Sequence, residues 1–130
     1  MNPASVDIVE MLEAESALGL TFSTNLFIGR EPAKPDNCVT LFDITGQPPQ
    51  LTLTDYSYYS PAVNIRVRNK DYVTGWALIN DIMISLHGRN HETWNGTLYT
   101  VIRSMSDPAL LNWDDNQRVR FILNLIVQRR

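Results

Sequence analysis

The chain has 130 residues and a mass of 14.8 kDa, with 44% apolar and 19% charged residues, proportions that suit one domain with a single core. A net charge of -3 argues against broad attraction to nucleic acid or anionic lipid, and the lone cysteine, Cys38, can form no internal disulfide. No apolar run approaches the roughly 20 residues of a membrane span, and the start lacks secretory-signal character, so the expectation is a soluble protein made in the cytoplasm, with no membrane partner.

The charge is unevenly placed. Residues 1–29 hold Asp7, Glu10, Glu13 and Glu15 and no lysine or arginine, whereas residues 103–130 hold Arg103, Arg118, Arg120, Arg129 and Arg130 against Asp107, Asp114 and Asp115. Opposite ends of opposite sign are either two solvated faces or complementary patches for self-assembly.

In chain order, the first element is a helix from about Ser5 to Leu18, with Ser5 as N-cap and Gly19 as its stop. Ile8, Val9, Met11 and Leu12 share its core side, and Asp7, Glu10 and Glu13 its wet side. Short strands follow at Leu26–Ile28 and Cys38–Phe42, joined by a turn over residues 30–37. Residues 45–61 carry Pro48, Pro49 and Pro61, which disfavour a continuous central strand, and Leu51, Thr52 and Leu53 form an edge or an arm. Val63, Ile65 and Val67 then alternate with Asn64, Arg66 and Arg68 as a strand with one core face.

A second helix is predicted over Tyr72–Leu86, capped by Asp71. Tyr72, Trp76, Ile79, Met83 and Leu86 make its packing stripe, widened by Leu78 and Ile82. Val73, Ala77 and Ile84 form a second apolar patch, which calls either for deep embedding or for a neighbouring subunit. The Asn95-Gly96 turn introduces a strand over Thr97–Met105, and after a loop at 106–117 comes the longest strand, Arg118–Gln128. The order predicts an α+β single domain, two main helices packed on a largely antiparallel or mixed sheet.

Chemistry is sparse. His87 and His91 are separated by Gly88 and fall outside any zinc motif, and Asp107, Asp114 and Asp115 read as turn residues rather than a cation loop. No phosphate loop, nucleophile elbow or paired carboxylates of distinctive spacing stand out, so no catalysis, metal or cofactor is expected. Arg66 and Arg68 with Arg118 and Arg120 could line a basic strip beside Tyr58, Tyr59 or Tyr99, the basis of a nucleic-acid-binding alternative. Trp94, Trp113, Tyr56, Tyr58 and Tyr59 fall in predicted loops, where exposed aromatics favour protein interfaces. With Glu10, Glu13, Asp114, Asp115, Arg129 and Arg130 they are the candidate subunit or partner contacts.

Several ordered segments resemble the tail terminator and minor capsid proteins of long-tailed bacteriophages: FIGREPAKPDNCVTLFD from Phe27, YYSPAVNIRVRN from Tyr58, GWALINDI from Gly75, SLHG from Ser85 and the stretch from Asn95 to Arg130. The resemblance implies a structural virion protein that forms a ring, usually a hexamer, on the head-proximal end of the tail tube. Its implied partners are further copies of itself, the tail-tube protein and a head-completion or connector protein, with phage DNA passing through without sequence-specific contact. A head-completion or neck adaptor is the alternative role in the same particle. The 45–61 and 106–117 segments would supply axial contacts, and the resemblance brings no catalytic residue.

Overall fold

Val119, Phe121, Leu123, Leu125 and Val127 are buried and alternate with less buried neighbours, which makes the last strand the axis of the fold. The computed structural model describes residues 1–50 and 58–130. In chain order the elements are α1 (Ala4–Ala14), β1 (Leu26–Ile28), β2 (Cys38–Gln50), β3 (Tyr58–Asn69), α2 (Tyr72–Leu86), β4 (Asn90–Trp94), β5 (Thr97–Ser104), β6 (Ala109–Trp113) and β7 (Val119–Arg129). They form the expected α+β fold, a mixed sheet ordered β1-β2-β3-β7-β5-β4, in which β1 and β2 run parallel. β3 lines one side of β7, while β5 and β6 share the other, β5 against its C-terminal half and β6 against its N-terminal half.

Both helices contribute to the core. Ile8, Met11 and Leu12 of α1 and Ile79, Ile82 and Leu86 of α2 join Leu41, Ile65, Val67 and the inward residues of β7. Burying such side chains contributes roughly 1.5–3 kcal/mol each, which is why the period-two and helical patterns are so legible.

Both helices and two strands correct local expectations. α1 starts after Pro3 and stops at Ala14, with only a single 3-10 turn over Ser16–Leu18 before Gly19. Ser5 is no cap: it is buried, and its N–H and hydroxyl donate to the two carboxylate oxygens of Asp43 at 3.1 and 2.6 Å. Asp7, expected on the wet side, is fully buried. The packing face of α2 is rotated: Gly75, Ile79, Ile82 and Leu86 are buried, while Tyr72 and Trp76 lie at the margin. Hydrophobicity could not reveal this, because the closest approach is made where there is no side chain, and a Cβ on Gly75 would lie 3.0 Å from the Phe121 ring.

Two further corrections concern strands. β2 continues through Pro48 and Pro49, with Gln47 opposite Ser60 and Gln50 opposite Tyr58, so residues 45–50 pair antiparallel with 58–60. β1 reaches only to Leu41, which leaves the prolines on an edge, and two register shifts absorb the missing donors. At the first shift a Cβ on Gly46 would meet the Ser60 carbonyl oxygen at 2.1 Å, a crossing only glycine permits. Residues 51–53 lie outside the described residues. Within the predicted loop at 106–117, β6 forms an exposed five-residue strand that pairs with β7.

Candidate functional site

Tyr72 and Trp76 stand one turn apart at the start of α2, above the buried ring of Phe121. Phe121 meets both edge-on, with ring centroids 5.0 and 5.7 Å apart, and Trp113 of β6 stacks on Tyr72 at 6.3 Å. Such ring pairs hold one another in fixed orientations. The cluster forms a ledge continued by Val73, next to Tyr72 in the helix, and by Leu110, opposite Phe121 on β6; its rings remain open to solvent, Trp113 at 51% and Trp76 at 40% exposed, and Val73 is 72% exposed. The ledge borders the outer edge of β6, which has no strand partner among the described residues. A rigid apolar surface beside an open strand edge is what a protein contact uses.

The other predicted contact residues are scattered. Glu10 accepts from the side-chain amide of Asn95 at 2.8 Å, and Glu13 accepts from the Phe22 N–H at 3.2 Å. Trp94 lies in β4, not a loop, and folds back so that its Nε1 donates to Glu92 at 3.1 Å. Tyr59 is exposed, Tyr58 lies under the Arg130 guanidinium at 5.4 Å, and Tyr56 lies outside the described residues. Asp114 is half-buried at the β6–β7 turn, and Asp115 beside it is exposed.

Arg129 must be reassigned. It is 8% exposed, and its Nη1 donates to the Asn2 carbonyl at 2.7 Å and to the Tyr99 hydroxyl oxygen at 3.1 Å. The Tyr99 hydroxyl donates to Asp7, whose carboxylate stands 4.0 Å from the Arg129 guanidinium. Burial, reinforced by the Asp7 carboxylate, pushes the Tyr99 hydroxyl pKa well above its usual range. The acidic front and basic end of the chain therefore meet inside one subunit at Asp7 and Arg129, which removes that pair from any joint between subunits.

The arginine strip is likewise engaged internally. The 30–37 turn folds over the helix-free face of the sheet, and Glu31 Oε1 accepts from Arg68 at 3.1 Å and from Arg120 Nη2 at 2.7 Å. Arg68 also donates to the carbonyls of Asp36 and Pro35. Arg118 pairs with Asp114 at 2.6 Å and Asp36 at 3.2 Å, and Arg66 lies over the Phe42 ring at 4.9 Å. Little of the strip is left to bind a phosphate backbone.

This turn gives a pH prediction. Hydrogen bonds from Lys70 and Lys34 lower the pKa of Asp36 to about 2 from an ordinary 3.8. Burial opposes ionisation of Asp114, but donors on Arg118 and Asn116 outweigh it and hold its pKa below the ordinary range. Both depressed groups stabilise the fold fully above the unfolded value, and that contribution is lost as pH falls through the folded one. The thermal midpoint should therefore hold steady above about pH 5, as it moves clear of the unfolded carboxylate range, and drop between about pH 4 and 2, less so in Asp36→Asn. A drop of the same size in Asp36→Asn would remove Asp36 from this role.

His87 caps the end of α2 and accepts the Ser104 N–H on Nδ1 at 2.9 Å, while His91 is exposed in β4, so the two do not converge. Among the described residues no cluster of three or more histidine, cysteine, aspartate or glutamate side chains could hold a metal. Cys38 is buried, and burial raises its pKa, which keeps it a poor nucleophile. Open depressions among the described residues include these two. One, of about 740 Å³, lies on the helix-free face between Gln47, Ser60, Arg103 and Gln128. The other, of about 530 Å³, lies along β1 between Phe22, Phe27, Ile28 and Pro32, with the exposed Arg30 at its side.

Comparison with known proteins points to a phage structural tail protein. The family model described as "Bacteriophage tail terminator protein" matches residues 14–129. No curated protein matches the chain. Among solved structures, a chain from one described as "Virion of native gene transfer agent (GTA) particle" is similar in fold, with a TM-score of 0.69 at 13% identity over 96% of this chain and 92% of that one.

Proposed function

Because the chain belongs to the bacteriophage tail terminator family, we propose that it closes the head-proximal end of the tail tube as a ring of identical subunits, a hexamer. One axial face of the ring accepts the contacts a tail-tube subunit offers, and the other presents a different surface, so that polymerisation stops and a head-completion or connector protein can attach. Genomic DNA passes through the ring without sequence-specific binding. The protein assembles in the host cytoplasm and remains in the virion.

The observation that carries this reading is the Tyr72–Trp76–Trp113 ledge, an exposed and rigid apolar surface on a chain of a structural tail family. A lone subunit gains nothing from leaving such rings in water, whereas burial in an assembly stabilises it by roughly 25 cal/mol per Å² of apolar surface. A non-enzymatic part fits the same picture, because the buried polar groups described above serve the fold. The paired ends of β2 and β3 and the connection at residues 105–108 ahead of β6 are the candidate axial contacts.

Electron microscopy of particles assembled without this protein tests the role. Overlong, unattached tails are expected. Tails of normal length that fail to join heads would instead assign the protein to the neck, as an adaptor between head and tail.

A further inference from the structure

The rows of the sheet place two unlike surfaces at opposite edges of the same layer. Leu26 of β1 pairs with Val39, Val39 with Val67, Val67 with Phe121, and Phe121 with Leu110 of β6. One end of this row is the groove of Phe22, Phe27 and Ile28, and the other is the ledge of Tyr72, Val73, Trp113 and Leu110. Their charges are complementary. Arg30, which lines the groove, is exposed and makes no ion pair among the described residues, and the groove's other charge, Glu31, is already neutralised by Arg68 and Arg120, whereas the ledge is flanked by exposed Asp71 at the head of α2 and exposed Asp115 in the β6–β7 turn. Lys70, the nearest base in sequence to the ledge, is paired with Asp36.

We propose that neighbouring subunits join head to tail, the aromatic ledge and its two acids on one subunit seating in the β1-edge groove beside Arg30 of the next. The inference rests on the ring reading and assigns the surfaces that make the joint. Unlike patches on opposite edges give a heterologous contact, which closes into a ring when the rotation per subunit allows it; a patch that met its own copy would stop at a dimer. The occupant of the ledge is thus a second copy of this chain. The acids steer Arg30 into register, and the apolar rings supply the affinity.

Two surface variants test the joint. Val73→Arg with Leu110→Arg spoils the ledge, and Phe22→Asp with Arg30→Asp spoils the groove; all four positions are exposed, and thermal midpoints within a few degrees of wild type would show that both variants fold. Mass photometry and sedimentation velocity should find rings for the wild type and monomers for each variant alone, the joint weakening at least about 100-fold because like charges and unpaired ions would be buried in it. An equimolar mixture should give one-to-one dimers and nothing larger, since the intact groove of one variant accepts the intact ledge of the other. Rings from either variant alone, or no dimer from the mixture, would overturn the joint while leaving a wild-type ring standing. A ledge variant that forms rings yet fails to cap tails would assign the ledge to the tail tube instead. A wild type that stays monomeric at every concentration, with and without tail-tube subunits, would overturn the ring reading and the joint together.

Discussion

Replacing Asp7 with alanine is expected to lower stability by about 3 kcal/mol and the thermal midpoint by about 10 °C. The carboxylate is fully buried, accepts from the Tyr99 hydroxyl and from Asn95 Nδ2 at 2.6 Å, and stands 4.0 Å from the Arg129 guanidinium. It also lies in the first turn of α1, where the helix dipole favours an anion. Alanine leaves a buried guanidinium without its counter-ion and a buried hydroxyl without its acceptor, and those losses exceed the net worth of the bonds themselves. Tyr99→Phe removes one donor to Asp7 and one acceptor of Arg129 but leaves the charges in place, so a smaller loss of about 1–2 kcal/mol is expected there. Arg129→Glu should strike the same network and unfold the chain more readily, whereas Arg130→Glu, at an exposed position, should not. Chemical denaturation of the four variants checks the order, and a loss below about 1 kcal/mol for Asp7→Ala would show that the network does not hold the termini together.

The second large effect is expected at Glu31. Its Oε1 receives donors from both Arg68 and Arg120, and Arg68 is 2% exposed. Glu31→Ala removes the carboxylate shared by two guanidinium groups beneath the 30–37 turn, at an expected cost of about 3 kcal/mol. Because all three donors converge on one oxygen, Glu31→Gln retains an acceptor and should lose less. The turn leads directly into buried Cys38, so the variants carry a second readout. Thiol labelling of Cys38 should be slow in the wild type, faster in Glu31→Gln and fastest in Glu31→Ala. Equal rates in all three would show that Glu31 does not pin the turn.

Much of the fold was legible because its strongest signals are local and apolar. The alternation of Val119 to Val127 marked the central strand, the Asn95-Gly96 turn marked the start of β5 though not β4 before it, and the Asp71 cap marked the start of α2, where the carboxylate accepts the Thr74 N–H at 2.9 Å. β6 was missed because every residue in Ala109–Trp113 is exposed, so no buried face imprints a period on the sequence. Of the ledge, Trp113 was visible as a loop aromatic and Val73 as part of a second apolar patch on α2. Tyr72 and Trp76 were assigned to the core stripe, since the pattern of apolar residues could not show that Gly75 lets Phe121 take the closest place.

Near neighbours in the chain and the hydrophobic period were enough for the α+β class, the single core and the inward face of the long strands, and the quoted segments carried the family resemblance. Charge partners were decided only by the tertiary structure. Asp7 and Arg129 are 122 positions apart and Glu31 and Arg120 are 89 apart, yet each pair is brought together by the sheet. A charge in sequence carries no record of whether its partner will be water, the same chain or another subunit, because a Coulombic contact is fixed by distance and burial and has no period. Folding turned the apparent acid-to-base polarity of the chain into an internal clasp. It left the Tyr72–Trp113 ledge, which sequence could not separate from the core, as the surface open to a neighbour.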